Sequence, residues 1–370
     1  MLHWNSLRLG CGVTLAALSL AVPAAVANAQ SGYTITDLGT LGGNSSVGLA
    51  INASGQIAGY SDVAGNTAAH AVFWTGTTVT DLGASTGNGS SAYAINDSGH
   101  IAGGYTVSSA RSLHAVVWSG TNASELDSLG GTVSQAVGIN NIGQATGSST
   151  LPHGSATHAV RWIGTTAQDL GTLGGRDSNG EGINSSGQVV GAAYLTDNST
   201  YHAVRWTGAT SQDLGTLGGS NSNASAINDR GQITGSSLTT GNTADHAVRW
   251  RGTTIQDLGT LDGRFSVGFG INNAGTVVGY SALQSGANNA FIAIGNSMAN
   301  LNTLIPVTAG WELNVAYGIN DNGWITGSGI IGGQTHAFLL RPNAVPEPSA
   351  LALFSVGVAS LSVLRKRRKG

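Results

Sequence analysis

The chain has 370 residues, 57 of them Gly; only 9% are charged, the formal net charge is −3, and there is one cysteine, Cys11. One cysteine excludes a disulfide-stapled fold. Residues 30–345 carry nine Arg and no Lys against 14 Asp and three Glu, a formal charge of −8, and that acidity excludes a nucleic-acid partner held through phosphates.

At the N-terminus, Arg8 precedes an apolar run over residues 13–26, and Ala27-Asn28-Ala29 follows. A positive charge, an apolar stretch and a small-x-small site predict a secretory signal peptide over residues 1–29, cut after Ala29. Cys11 lies before the apolar run, where a lipidated cysteine would not be.

From residue 30 the chain repeats itself. An Ile-Asn pair recurs with its amide at Asn52, Asn96, Asn140, Asn184, Asn228, Asn272 and Asn320, at five spacings of 44 and one of 48. A His-Ala pair recurs at His70, His114, His158, His202, His246 and His336. An acid-Leu pair recurs at Asp37, Asp81, Glu125, Asp169, Asp213 and Asp257, and a Trp at 74, 118, 162, 206 and 250. In the unit around Asn184, apolar alternation and turn residues predict four strands, A to D, over 180–184, 188–194, 202–206 and 211–214. In the Asn-x-x-Gly turn the Asn can bond its own backbone and the Gly can take positive φ, a structural role. The acid-rich loop that calcium needs is missing.

Four strands in about 44 residues is the blade of a propeller. The predicted fold is all-β: a seven-bladed β-propeller over residues 30–342, with small Gly and Ala on the inner strand A. The body begins with a D-type strand at 34–39 and ends with a C-type strand at 336–340. That offset is expected if the first strand completes the last blade. An open β-repeat solenoid is the alternative.

At the C-terminus, Pro346-Glu347-Pro348 is followed by an uncharged stretch over 349–364 and by Arg365-Lys366-Arg367-Arg368-Lys369. Sixteen helical residues span about 24 Å, short for a bilayer core of about 30 Å, and the basic cluster would stay on the cytoplasmic side. Residues 343–370 resemble the PEP-CTERM sorting signal of Gram-negative bacteria. The resemblance implies recognition by an exosortase, a membrane-embedded sorting enzyme, with transient anchoring in the inner membrane and final display at the cell surface or outside it.

The triplet His336-Ala337-Phe338, which drifts to His-Ala-Val in other units, together with the Ile-Asn-x-x-Gly turns, resembles the HAF repeats of extracellular bacterial proteins. That family is defined by its repeat, so the resemblance implies an architecture and no catalytic residue.

No nucleophile elbow, phosphate-binding glycine loop or zinc signature is present. The recurrent His, one per blade, would lie too far apart to share a metal, and their constant separation of 11 residues from the strand D acid predicts a structural link between strands. No catalytic residue, metal or cofactor is expected. Acids that break the repeat are Asp62, Asp127, Asp177, Glu181, Asp197, Asp245, Asp262 and Glu312. The D–A connections, among them Arg176-Asp177-Ser178-Asn179 and Ser220-Asn221-Ser222-Asn223, vary and are expected as loops on one rim. The expected function is non-enzymatic: a surface or biofilm-matrix module that contacts exopolysaccharide, other carbohydrate or a surface protein. The alternative is a propeller enzyme, a glycosidase or lyase, acting on polysaccharide through a carboxylate pair.

Overall fold

The computed structural model describes residues 32–83, 89–107 and 112–343. The predicted signal peptide, with Ala27 and Ala29, lies outside them. So does the sorting tail, with Pro346, Glu347, Pro348, Arg365, Lys366, Arg367 and Arg368. Among the described residues no helix is long and apolar enough to cross a membrane.

The described chain is all-β, and its sheets are antiparallel meanders of the propeller-blade type. In the unit around Asn184 the strands are Gly174–Ile183, Val189–Leu195, Tyr201–Thr207 and Thr210–Asp213, paired in that order. Five such four-stranded sheets occur among the described residues. An eight-stranded sheet joins the first and last units. Within it, Tyr33–Asp37 pairs antiparallel with Gln334–Pro342, Ile35 opposite Leu340 and Asp37 opposite Phe338. A single parallel bridge, Ser45 to Thr335, links the two groups.

Strand A of the Asn184 unit is longer than predicted, at Gly174–Ile183, and Gly42–Ile51 and Gly218–Ile227 are as long. The variable segments Arg176–Asn179 and Ser220–Asn223, expected as loops, are therefore strand residues. The physical reason is that strand B overhangs: Gly174 pairs with Leu195 and Gly218 with Thr239, so the Gly-Gly pair enters the ladder early.

Strand C supplies the core. Trp74, Trp118, Trp162, Trp206 and Trp250 are fully buried, with Phe291 and Phe338 in the two units that lack the Trp. Each shares an apolar cluster with residues of a neighbouring unit, as Trp250 does with Val190 and Leu214. Units are therefore joined by shared apolar clusters, the nearest-neighbour coupling of a repeat protein.

Three polar links recur from unit to unit. Each Asn of the Ile-Asn pair accepts, through Oδ1, the backbone N–H four residues on, as Asn184 does from Gln188 at 3.0 Å. Its Nδ2 donates to the backbone carbonyl of the next such Asn, at 2.8 to 3.3 Å through the series from Asn52 to Asn320. Asn320 donates to Asn52 at 3.0 Å. A buried strand A serine accepts from the strand C alanine of the preceding unit, as Ser90 does from Ala71 N at 2.8 Å. The same bond runs from Ala337 N to Ser46 at 2.9 Å.

The third link is the His–acid pair. Nδ1 of His70, His158, His202 and His246 lies 2.8 to 3.1 Å from both oxygens of Asp81, Asp169, Asp213 and Asp257. His114 meets Glu125 at 2.5 Å. Each of those aspartates also accepts the backbone N–H two residues on, as Asp169 does from Gly171 at 2.8 Å. The carboxylate thus holds a turn with one oxygen and orients the imidazole with the pair.

Candidate binding site

Every strand A carries a β-bulge at one repeat position. In the Asn184 unit Gly180 pairs with Gly191 and Gly182 with Val190, which leaves Glu181 unpaired between them. The same register shift falls at Leu49, Tyr93, Val137, Ser225, Phe269 and Tyr317. A bulge leaves its extra residue outside the ladder and re-aims its side chain. Here all seven bulge residues line one cavity of about 570 Å³.

Glycine makes the bulge possible. A Cβ on Gly191 would sit 1.9 Å from the carbonyl oxygen of Asn179, and one on Gly235 would sit 1.9 Å from that of Asn223. Strand B can approach the bulged strand this closely only without a side chain.

The residues flanking each bulge are nearly invariant from unit to unit, an Ala or Gly and then Ile-Asn. The bulge residues run Leu, Tyr, Val, Glu, Ser, Phe, Tyr. Sequence reasoning missed this series. The signal was available: the residue three before each Asn is free to vary inside a motif that is not.

The cavity wall has two characters. Phe269 and Tyr317 pack with ring centroids 5.1 Å apart, and Phe269 and Tyr280 with theirs 5.9 Å apart. Burial pushes the Tyr317 phenol up, and Tyr60 and Tyr280 push it further. Val137, Glu181 and Ser225 lie on the units between, with Gln135 and Asn223 two residues before their own bulges. Asn179, at the same repeat position, donates through Nδ2 to Oε1 of Glu181. Protein encloses Glu181, and water reaches it through the cavity. Desolvation raises its pKa to about 7 despite the opposing bond from Asn179.

A second hollow of about 790 Å³ shares Asn223 and Phe269 with this cavity and is lined by Arg176, Asp177, Tyr194 and Tyr201. The variable segments expected at a contact rim thus reach it, although as strands. Asp177 accepts from Thr157 N at 2.8 Å and pairs with Arg176 at 3.3 Å. Asp245 stands beside Ser236, from which it accepts at 3.2 Å, and burial pushes its carboxyl up. Asp262, Arg264 and Phe265 line a separate hollow. Asp197 is exposed, and its carboxyl is held far below the usual range by the backbone N–H groups of Ser199 and Thr200.

The repeated Asn residues form the other end of strand A, around an opening lined also by Asp97, Asp229 and Asp321. Among the described residues no group of three or more His, Cys, Asp or Glu could hold a metal ion.

Residues 344–368 match the model of the PEP-CTERM protein-sorting motif. No curated protein matches the chain. Among solved structures, the putative TolB of Agrobacterium tumefaciens is similar at a TM-score of 0.41 and 13% identity, over 63% of this chain and 86% of that one. TolB of Acinetobacter baumannii gives 0.42 and 12%, over 66% and 64% of the two chains. The β-propeller domain of the Trilobed protease of Pyrococcus furiosus gives 0.37 and 11%, over 73% and 98%. These likenesses are distant, and the fold rests on its own strand pairings.

Proposed function

We propose that the chain is a HAF-repeat protein whose body closes as a seven-bladed β-propeller, and that it binds extracellular polysaccharide at the cell surface without chemically altering it. Closure is supported by three contacts between the last unit and the first: Asn320 to Asn52, Ala337 to Ser46, and His336 to Asp37 at 2.9 Å. The first two are links that neighbouring units make elsewhere, and the third is the link that elsewhere joins strands C and D of one unit. Export and surface display are supported by the PEP-CTERM motif, which fits handling by an exosortase at the inner membrane.

The binding role is carried by one observation: the seven bulge residues are the variable ones, and they meet in a single cavity. Scaffold positions recur in every unit, whereas a recognition surface needs different groups at equivalent places. Aromatic faces beside amide and hydroxyl groups suit sugar rings, whose C–H faces stack and whose hydroxyls bond. A glycosidase uses two carboxyl groups across the scissile bond. Glu181 is the one carboxylate among the described residues lining this cavity, which supports binding over hydrolysis.

The test is a screen of the protein against exopolysaccharides and defined glycans, with a parallel assay for new reducing ends and unsaturated products. Binding without product, weakened at least tenfold by Tyr317→Ala, is the expected result. Product release would establish the enzymatic alternative, and binding unaffected by Tyr317→Ala would move the site elsewhere.

A further inference from the structure

Glu181 is the charged residue of the cavity. No other Asp, Glu, Lys, Arg or His is among its described lining residues. One carboxylate oxygen accepts from Asn179. Each ion pair formed by the described residues is made by other groups, and the nearby Arg176 is engaged with Asp177. A carboxylate enclosed by protein without a cation is costly to ionise. Its own pKa reflects that cost: burial is the leading cause of the rise to about 7, and no neighbouring cation offsets it.

The rest of the wall favours positive charge. Phe269, Tyr317 and Tyr93 line the same cavity, and aromatic faces attract cations, more strongly when water is excluded. An acidic sugar would be repelled by Glu181. A neutral one would leave it unpaired. An ammonium group would satisfy the carboxylate by a charge-assisted bond and gain from the rings. Gln135, Asn223 and Ser225 supply donors and acceptors for hydroxyls around that anchor.

We infer that the ligand of this cavity is a polysaccharide bearing free amino sugars, its ammonium group seated between Glu181 and the rings of Phe269 and Tyr317. The inference rests on the saccharide-binding role proposed above and specifies its chemistry. An amine could also come from a lysine side chain of a protein partner. The polar arc beside the rings favours the sugar, because a lysine stem has no hydroxyls to use it.

The experiment compares oligomers of glucosamine with N-acetylglucosamine oligomers of the same length, a neutral glucan and a lysine-containing peptide, by calorimetry on the full-length chain. The glucosamine oligomer should bind at least tenfold tighter than its acetylated twin. E181Q, which keeps the shape and removes the charge, should abolish that preference while retaining residual binding of the acetylated oligomer. Tyr317→Ala should weaken both oligomers. With a trimethylated glucosamine oligomer, whose charge does not titrate, affinity should rise as pH rises through about 7, by about the factor that E181Q removes, and level off above it.

Equal binding of the two oligomers would overturn the inference and leave the saccharide role standing. A preference that survives E181Q would also overturn it, by placing the cation elsewhere on this acidic protein. Lysine peptide binding as tight as that of the glucosamine oligomer, and equally dependent on Glu181, would reassign the site to a protein partner. Failure of every glycan to bind would overturn both proposals.

Discussion

His336 and Asp37 are 299 residues apart in the chain, yet Nδ1 of one lies 2.9 Å from the carboxylate of the other. Elsewhere the same pair forms across 11 residues, as in His158 and Asp169. Asp37 therefore occupies, for the last unit, the place that strand D fills in the others. Asn289 and Asn300 take the two positions in the sixth unit, and Asn300 there accepts from Asn302 N at 2.9 Å. Histidine and acid are lost together, as expected of a link between strands.

Removing residues 33–37 should destabilise the whole body. The ion pair itself is a small part of this: both side chains touch solvent, so Asp37→Ala should cost at most about 1 kcal/mol. The strand is worth more. Tyr33 is 7% exposed and belongs to the cluster around Phe338 and Leu340, with Ile35 packed against it. At about 1.5–3 kcal/mol per buried side chain, the deletion should remove roughly 5 kcal/mol and expose the edge of Gln334–Pro342, with association as a second symptom. Denaturant unfolding of the two variants separates the terms. An unchanged cooperative transition in the deletion variant would count against closure and favour an open solenoid.

Processing should remove both ends. Cleavage after Ala29 and at or near Pro346-Glu347-Pro348 leaves a body without the Arg365 to Lys369 cluster. Mass spectrometry of the surface fraction should find that body. Recovery of the basic tail in the mature protein would contradict exosortase handling and leave a plain membrane anchor.

The strand order and the His–acid link were legible because each rests on a local period: 44 residues for the unit and 11 for the pair. The Asn was legible only in part. Its Oδ1 bond to the residue four ahead is local, but its Nδ2 bond crosses to the next unit, and nothing within one turn motif specifies that partner. Strand A was misjudged at Arg176–Asn179 because polar residues before a Gly-Gly pair look like loop, whereas the overhanging strand B decides the matter. The bulge residues were hidden for a different reason: a repeat is found by what recurs, and these seven positions do not.

Glu181 should leave a signature in the pH dependence of stability. Its folded pKa is about 7 against an ordinary 4.5. Below the ordinary value both states hold the proton. Between the two, the unfolded chain releases it and the folded chain does not, so stability falls as pH rises, by at most about 3 kcal/mol. Above about 7 the loss is complete and constant. Asp245, also raised by burial, acts in the same sense, and Glu125, lowered by its bonds to Tyr105 and His114, acts in the opposite one. The comparison is therefore between the native chain and Glu181→Gln. Their difference should widen in favour of the variant as pH rises through that window. Parallel curves would mean that Glu181 keeps an ordinary pKa.

Gly191→Ala tests whether the bulge is the foundation of the cavity. The added methyl would lie 1.9 Å from the carbonyl oxygen of Asn179 and close to the Cα of Gly180, both backbone, so neither can rotate away. Strand A or strand B must shift, at a cost of about 1–3 kcal/mol for overpacking. Gly65→Ala is a useful contrast, since its φ of +82 strains the backbone while only Thr67 lies within 4 Å of the added atom, at 3.9 Å. The two changes should lower the unfolding midpoint in the same direction. Only Gly191→Ala should also weaken glycan binding, because the shifted strand carries Glu181 on the other side of the bulge. Loss of stability with unaltered binding would show that the bulge residues are held by something other than the glycine opposite them.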